Sequence, residues 1–425
     1  MRSHRSPRRF AAVVSAVALI VSCLRVDGGP AGAQAVTTPH VFAPIAAPSA
    51  FFPLTAQRVY EGDTGALDRG GFPFGLLTVP LGPGVPSGAT AAVVNVTTVT
   101  QFPVQFNVCG TRTQAQPWWC NSGASTAYPD FLEPGQSHAA QLMATVGLGA
   151  DRTLSIEGLW APGRVTVDLL GYYAPAGATP AAGRYRPSAP QRALDTRDVG
   201  GPLEDGAVTV SLGGLVPADT SAVMATVTVV DADRDSYVTA YPTGTAAPYA
   251  SNALLLAPNR TLTNQFVVPV TNNGFDVRIS GRAHVLVDVV GSFTSSASAP
   301  GADGLYVPIV STPLDVPAQA GVDPFTDPYG NALRPEVPRT VPFATPVFGP
   351  AVGALSLVVE AQPLGAGFVT VWAGGARPWT TNLFSQSGNQ RTNVAATTGV
   401  SGSGFEVVST ELTFVGVTVL GYYAA

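Results

Sequence analysis

The same kind of segment occurs three times in the sequence: VTVDLLGYY (Val165–Tyr173), VLVDVVGSF (Val285–Phe293) and VGVTVLGYY (Val415–Tyr423). Each is an apolar run rich in valine that ends at a glycine, which is typical of a β-strand. The three glycines lie 120 and 130 residues apart. This spacing is the size of an independent domain and exceeds the roughly 20–50 residues of solenoid repeats.

Further apolar runs with β-branched residues occur in each copy, and no convincing amphipathic helix is present. The 46 glycines and 38 prolines favour turns between short strands. We therefore predict an all-β protein of three tandem β-sandwich domains with Greek-key or jelly-roll connections. The predicted domains span residues 36–174, 184–294 and 304–425, separated by linkers rich in small residues and proline.

Residues 1–35 have the features of a secretory signal peptide. Arginines extend to Arg9, an apolar run follows over residues 10–21, and small residues end in the sequence AQA at 33–35. The apolar run is shorter than the roughly 20 residues that cross a membrane, so no transmembrane segment is predicted in the mature chain. Alternatively, the sequence IVSC resembles a lipobox, and Cys23 would then carry a lipid anchor. Both alternatives predict a secreted or cell-surface protein.

Charge and composition exclude several classes of function. The chain carries a net charge of −5, and removal of residues 1–35 leaves 17 arginines against 26 acidic residues, a net charge of −9, which argues against binding to nucleic acid. The chain contains no lysine, so Schiff-base chemistry through lysine is excluded. No hydrolase, phosphate-loop or zinc motif is found, so we predict no enzyme, no cofactor and no metal.

One acidic segment invites a calcium interpretation. Asp231–Asp235 places acidic residues at the first, third and fifth positions of a calcium loop. The sixth and twelfth positions, however, are Ser236 and Pro242. The segment is therefore predicted to be a solvated hairpin tip.

Two charged positions change together between the copies. Arg58 and Asp168 in the first copy correspond to Arg192 and Asp288 in the second, whereas the third copy carries Thr312 and Thr418 at these places. Joint replacement predicts an ion pair in each of the first two copies, joining the first and last strands. With only three copies, coincidence is the alternative.

The second copy contains the element QRALDTR at residues 191–197, followed later by the VLVDVVGSF strand. Together these elements resemble a repeat of secreted actinobacterial proteins. The other two copies match the first element less well. The resemblance implies an extracellular accessory module, often found beside cell-wall or hydrolytic domains, and no settled activity.

The motif P-[WY]-x-x-N occurs once in each copy, and its members are Trp118, Trp119 and Asn121, Tyr249 and Asn252, and Trp379 and Asn382. An aromatic ring beside an amide could stack on a sugar or a proline while the amide donates orienting hydrogen bonds. Alternatively, the rings pack on their own sheet and the asparagines satisfy backbone groups in a turn.

Cys109 and Cys120 are the cysteines that remain after cleavage at residue 35, and their separation suits a disulfide in an oxidising compartment. This bond would restrain the segment that carries the paired tryptophans. The first copy is therefore the predicted main binder.

These patterns predict a non-enzymatic binding module that contacts cell-wall glycan or another extracellular polysaccharide through aromatic loops. One alternative is a structural or protein-adhesive spacer, whose partner would be a cell-surface protein and whose aromatic rings would be buried. An extracellular hydrolase with an unfamiliar site is the third possibility.

Overall fold

Regular structure in this computed structural model consists of β-strands. The structure describes residues 42–64, 75–110, 125–127, 137–255, 260–317, 329, 331–343, 350–385, 391–402 and 404–425. The first repeat contains β1 (Ala50–Asp63), β2 (Leu76–Pro80), β3 (Ala91–Thr100), β4 (Phe106–Cys109), β5 (Ser125–Ala127), β6 (His138–Gly147), β7 (Thr153–Glu157) and β8 (Gly163–Ala174). The second contains β9 (Tyr185–Asp195), β10 (Leu203–Glu204), β11 (Ala207–Ser211), β12 (Thr220–Val230), β13 (Ser236–Pro242), β14 (Ala253–Leu255), β15 (Leu262–Pro269), β16 (Gly274–Ile279) and β17 (Arg282–Thr294). The third contains β18 (Tyr306–Leu314), β19 (Arg339–Pro342), β20 (Val352–Pro363), β21 (Gly367–Trp372), β22 (Leu383–Ser385), β23 (Thr392–Gly399), β24 (Gly404–Ser409) and β25 (Thr413–Ala424).

Each repeat builds two antiparallel sheets in the same way. The first repeat forms the sheets β1-β8-β3-β6 and β2-β7-β4-β5, and the third forms β18-β25-β20-β23 and β19-β24-β21-β22. The second forms β11-β16-β13-β14 and a five-stranded sheet in which both β9 and β10 pair with β17. In every repeat the first strand therefore lies against the last, which is the strand that carries the recurring glycine.

The prediction of three tandem β-sandwich domains is wrong. The six sheets are arranged as a six-bladed β-propeller, and Pro39–Ala425 form one compact unit. Apolar patterning specifies which residues form strands and which face is buried, but a sandwich and a propeller satisfy the same pattern. The boundaries at 36–174, 184–294 and 304–425 remain a prediction about the repeats.

Aromatic side chains from the three repeats pack against one another in one buried cluster, which we call the central cluster. Tyr173 Oη lies 2.7 Å from Tyr423 Oη, and both side chains are buried. The Phe51 and Phe293 rings, from the first and second repeats, are 4.4 Å apart between centroids, and those of Tyr173 and Tyr306 are 4.3 Å apart. These contacts between repeats add to the apolar area that the blades bury.

The recurring glycine makes room for this central cluster. A Cβ atom on Gly291 would lie 2.2 Å from the Tyr185 hydroxyl, and one on Gly421 would lie 2.2 Å from the Tyr306 hydroxyl. In the first repeat the ring that approaches Gly171 is Phe51. Each run thus ends at a glycine because an aromatic ring from the first strand of the same repeat packs against that position and leaves no space for a Cβ atom.

Residues before β1 contact the third repeat. The Ile45 amide donates to Pro308 O (2.9 Å), and Ser49 and Tyr306 exchange backbone hydrogen bonds in both directions at 2.9 Å. The Phe42 ring stacks on Tyr422. The start of the described chain is therefore joined to its last repeat, which closes the ring of blades.

Within the described residues, no helix is long and apolar enough to span a membrane. The predicted signal peptide and Cys23 lie outside the described residues.

Candidate functional site

Arg58 and Asp168 face each other across β1 and β8. Arg58 Nε donates to Asp168 Oδ1 at 2.5 Å, and Arg58 Nη1 donates to Glu61 Oε2 at 2.7 Å. The Asp168 side chain is fully buried. Burial raises the pKa of Asp168, and the hydrogen bond and charge of Arg58 oppose that increase. The first predicted ion pair is thus present in the structure.

The second repeat contains the same arrangement. Arg192 Nε donates to Asp288 Oδ1, Arg192 Nη1 donates to Asp195 Oδ2 at 2.6 Å, and the Asp288 side chain is almost fully buried. Burial likewise raises the pKa of Asp288, opposed by its hydrogen bond to Arg192. Glu61 of the first repeat therefore corresponds to Asp195.

In the third repeat the strand register differs by one residue from the correspondence that the sequence suggests. Pro313 pairs with Thr418, and Thr312 pairs with Val419. The residue equivalent to the arginines is therefore Pro313, and we were wrong to place Thr312 there. The same irregularity occurs in the first repeat, between Pro53 and Gln57, and in the third, between Pro308 and Thr312. Counting five residues from that proline therefore places Pro313 in register with Arg58.

Each ion pair also binds a segment of the next repeat. The Ser251 amide, from the P-[WY]-x-x-N segment of the second repeat, donates to Asp168 Oδ2 at 3.2 Å, and Asn95 Nδ2 donates to Ser251 O at 2.6 Å. At the next junction, the Thr381 amide donates to Asp288, and Arg192 Nη2 donates to Trp379 O at 3.5 Å. The motif segments of the second and third repeats therefore join neighbouring repeats, a role that the sequence did not predict.

The side chains of Asn252 and Asn382 lie inside the protein. Both are 2% exposed. Asn252 Oδ1 accepts a hydrogen bond from the Ala240 amide at 2.7 Å, and Asn382 Oδ1 accepts one from the Val371 amide at 2.8 Å. These amides satisfy backbone groups inside the protein, so they do not face a ligand in solvent.

The aromatic residues of the same segments are exposed. Tyr249 is 78% exposed and Trp379 is 93% exposed. The Arg58 guanidinium lies 4.9 Å from the centre of the Tyr249 ring, within the range of a cation–π contact. The first repeat's Trp118, Trp119, Asn121 and Cys120 lie outside the described residues. Cys109 ends β4 and is buried, and its predicted disulfide stays a prediction.

A cavity of about 260 Å³ lies beside Tyr249 at the junction of the first two repeats. Arg58, Glu61 and Arg164 line it from the first repeat, and Tyr237, Tyr249 and Leu254 line it from the second. Arg164 Nη2 lies 2.8 Å from Glu61 Oε1, so Glu61 bridges two arginines. The cavity thus combines aromatic surface with fixed polar groups, as small-ligand sites often do.

The next junction has equivalent residues with more aromatic surface. Tyr237 pairs with Leu254 in the second repeat, whereas Phe368 pairs with Phe384 in the third, with ring centroids 4.7 Å apart. Trp379 takes the place of Tyr249 in the repeated motif. The molecule therefore presents two related junctions that differ in aromatic content.

Glu61, Arg164 and Tyr237 line the cavity but were not predicted as site residues from the sequence. A signal for Glu61 was available, because an acidic residue follows the arginine by three positions in both Arg58–Glu61 and Arg192–Asp195. No repeated spacing marks Arg164 or Tyr237, because these residues join the cavity only through contact between repeats.

The acidic segment Asp231–Asp235 is held by protein groups. Asp233 Oδ1 accepts a hydrogen bond from the Arg282 amide at 3.0 Å, and Asp233 Oδ2 lies 3.3 Å from Arg234 Nη1. Among the described residues, no group of three or more His, Cys, Asp or Glu side chains is arranged to hold a metal ion.

Comparison with known proteins adds no functional assignment: no protein-family model matches the chain, and no curated protein is significantly similar to it.

Proposed function

We propose that this protein is a non-enzymatic, secreted or cell-surface module that binds cell-wall glycan or another extracellular polysaccharide through aromatic residues at the junctions between repeats. The observation that carries the proposal is the exposure of Tyr249 and Trp379, 78% and 93%, on segments whose backbones are fixed. An exposed aromatic ring on a rigid support can stack on a sugar with little loss of conformational freedom.

Several contacts support the rigidity that this proposal needs. Buried Asn252 and Asn382 fix the two segments to their own sheets, and Asp168 and Asp288 fix them to the preceding repeat. The rings are thus presented by anchored backbone. Two or more such sites on one molecule would also add avidity on a polymeric ligand.

The alternative function, a structural or protein-adhesive spacer, is favoured by one observation. The P-[WY]-x-x-N segments join neighbouring repeats, which gives them a structural role without any ligand. A purely structural role, however, leaves the exposure of Tyr249 and Trp379 without a purpose. A role in catalysis is the least favoured, because Glu61 in the cavity is already bound to two arginines.

The test is co-sedimentation of the mature chain with purified bacterial cell walls, chitin and cellulose. The variant combines Tyr249→Ala with Trp379→Ala, and Phe52→Ala is the control. Phe52 is a partly exposed ring at the opposite end of β1, stacked on Tyr172. Thermal unfolding verifies that each protein is folded.

Retention of the intact protein and the control, with loss in the double variant, supports glycan binding. Equal retention of all three proteins, or no retention on any polymer, contradicts it and favours the spacer. A second variant, Trp118→Ala with Trp119→Ala, tests whether the first repeat is the main binder.

A further inference from the structure

A second cavity adjoins the cavity beside Tyr249 along the same sheet. The second cavity has a volume of about 390 Å³ and shares Val99 and Arg164 with the first. These two residues pair across β3 and β8. The two cavities are therefore neighbours along β8, from the junction toward Gly163, and we call them together the groove.

The groove is long enough for a chain of linked units. Asp168 lies beneath the Arg58–Tyr249 contact at one end, and Gly163 lines the other. Five residues of extended strand separate them, which at ~3.4 Å per residue is about 17 Å. A ligand of this length is a polymer segment and not a single sugar.

A second aromatic surface stands at the far end. Gln101 and Pro162 line the second cavity, and the Gln101 amide donates to Pro162 O at 2.9 Å. Phe102 follows Gln101 in the chain and Trp160 lies two residues before Pro162. Their rings stack in nearly parallel planes, with centroids 6.4 Å apart, and are 53% and 45% exposed. A stacked pair left in solvent next to a groove is a typical mark of a binding surface.

The charges of the described lining residues balance. They are two guanidinium groups, Arg58 and Arg164, and two carboxylates, Glu61 and Asp63. Glu61 is bonded to both arginines. A polyanion would have to compete with these carboxylates, whereas an uncharged ligand with hydroxyl or amide groups can accept from and donate to them without that cost.

We infer that the groove binds an uncharged linear polysaccharide across several sugar units, with Tyr249 at one end and the Phe102–Trp160 pair at the other. This inference rests on the proposed function and specifies its ligand. The first repeat supplies most of the groove, and the second supplies the Tyr249 end.

The test is calorimetric titration of the mature chain with fully acetylated chito-oligosaccharides and with cello-oligosaccharides of one to six units. The variants are Tyr249→Ala, Trp160→Ala and Trp160→Phe, with Phe52→Ala as the control. Affinity should rise with oligosaccharide length. Trp160→Ala should weaken the longest oligosaccharide about tenfold, equivalent to about 1.4 kcal/mol, and leave the shortest unchanged. Trp160→Phe, which keeps a ring, should recover most of that loss.

Two further results bear on the ligand class. Binding should change little between low and high salt, and an oligogalacturonate, which is anionic, should bind more weakly than the neutral series. Affinity that is independent of length, or a Trp160→Ala variant that binds all lengths normally, overturns the extended groove. An absence of binding to both neutral series also overturns the extended groove. If walls still retain the protein through Tyr249 and Trp379 in the co-sedimentation assay, the proposed function stands while this inference fails.

Discussion

The first and third repeats build four-stranded sheets of the same strand order, but they differ in charge at one pair of facing positions on the first and last strands. In the first repeat, the pair is Arg58 and buried Asp168, whereas the third repeat has Pro313 and Thr418. The sheet order is unchanged. The ion pair is therefore not needed for strand pairing. Asp168 and Asp288 each also accept a hydrogen bond from an amide of the next repeat.

This difference indicates what a buried charge contributes here. A carboxylate that is fully removed from water is costly unless it is paired and hydrogen-bonded. Asp168 has Arg58 on one side and the Ser251 amide on the other. We interpret the pair as a connector that fixes the exposed ring of Tyr249, since Arg58 also contacts that ring.

The largest effect is expected from breaking one ion pair. Arg58→Ala leaves the Asp168 carboxylate buried without its cation and should lower the free energy of unfolding by about 3 kcal/mol. The double variant Arg58→Thr with Asp168→Thr removes both charges, as the third repeat does with Pro313 and Thr418, and should lose less stability. Urea unfolding measures both. A double variant that is no more stable than Arg58→Ala would contradict the connector interpretation.

A smaller effect is expected at the buried asparagines. Asn252→Ala removes the acceptor of the Ala240 amide, and Asn382→Ala removes that of the Val371 amide. Each should cost about 1–3 kcal/mol because a buried donor is left unsatisfied. Ser251→Ala is the control, since it keeps the amide that binds Asp168. Hydrogen exchange should increase at Ala240 or Val371 in the matching variant only, and unchanged protection would exclude these bonds as supports.

The two junctions should differ in their contribution to glycan retention. Removing either ring should weaken binding about tenfold, which corresponds to about 1.4 kcal/mol. Trp379→Ala should have the larger effect, because its ring is larger and more exposed than that of Tyr249. Tyr249→Phe keeps the ring over Arg58 and should bind normally. Equal loss in Tyr249→Phe and Tyr249→Ala would show that the hydroxyl and not the ring is required.

The smallest effect concerns acid stability, where two aspartates should act in opposite directions. Burial raises the pKa of Asp168 in the folded state, so its contribution to stability improves as the pH falls from that raised value toward the unfolded value of about 3.9. Asp219 is hydrogen-bonded to Arg186 and Ser298, which lower its pKa, so its contribution is present above about pH 3.9 and is lost below it.

Unfolding measured from pH 6 downward separates the two aspartates. Asp219→Asn should make the loss of stability on acidification shallower, whereas Asp168→Asn should make it steeper. Identical pH slopes in both variants would contradict this assignment of the two carboxylates.

Part of the candidate site is readable from the repeats. Joint replacement of Arg58 and Asp168 by uncharged residues in the third repeat is visible in the sequence, and the ion pairs lie where that pattern places them. The motif P-[WY]-x-x-N is also visible, but the sequence did not separate its exposed ring from its buried amide. The aromatic residue and the asparagine lie in the same short segment, and contacts with neighbouring strands decide which of the two side chains is buried.

The sequence by itself determined the β-strands, the threefold repetition and the pairing of the first and last strand of a repeat, because these depend on local patterning and on residues that change together. The tertiary structure alone decided that six sheets form a propeller, that aromatic residues of the three repeats form the central cluster, and that Tyr237, Tyr249 and Arg164 line one cavity. These features depend on contacts between repeats, and hydrophobic periodicity specifies that a face is buried without specifying which surface buries it.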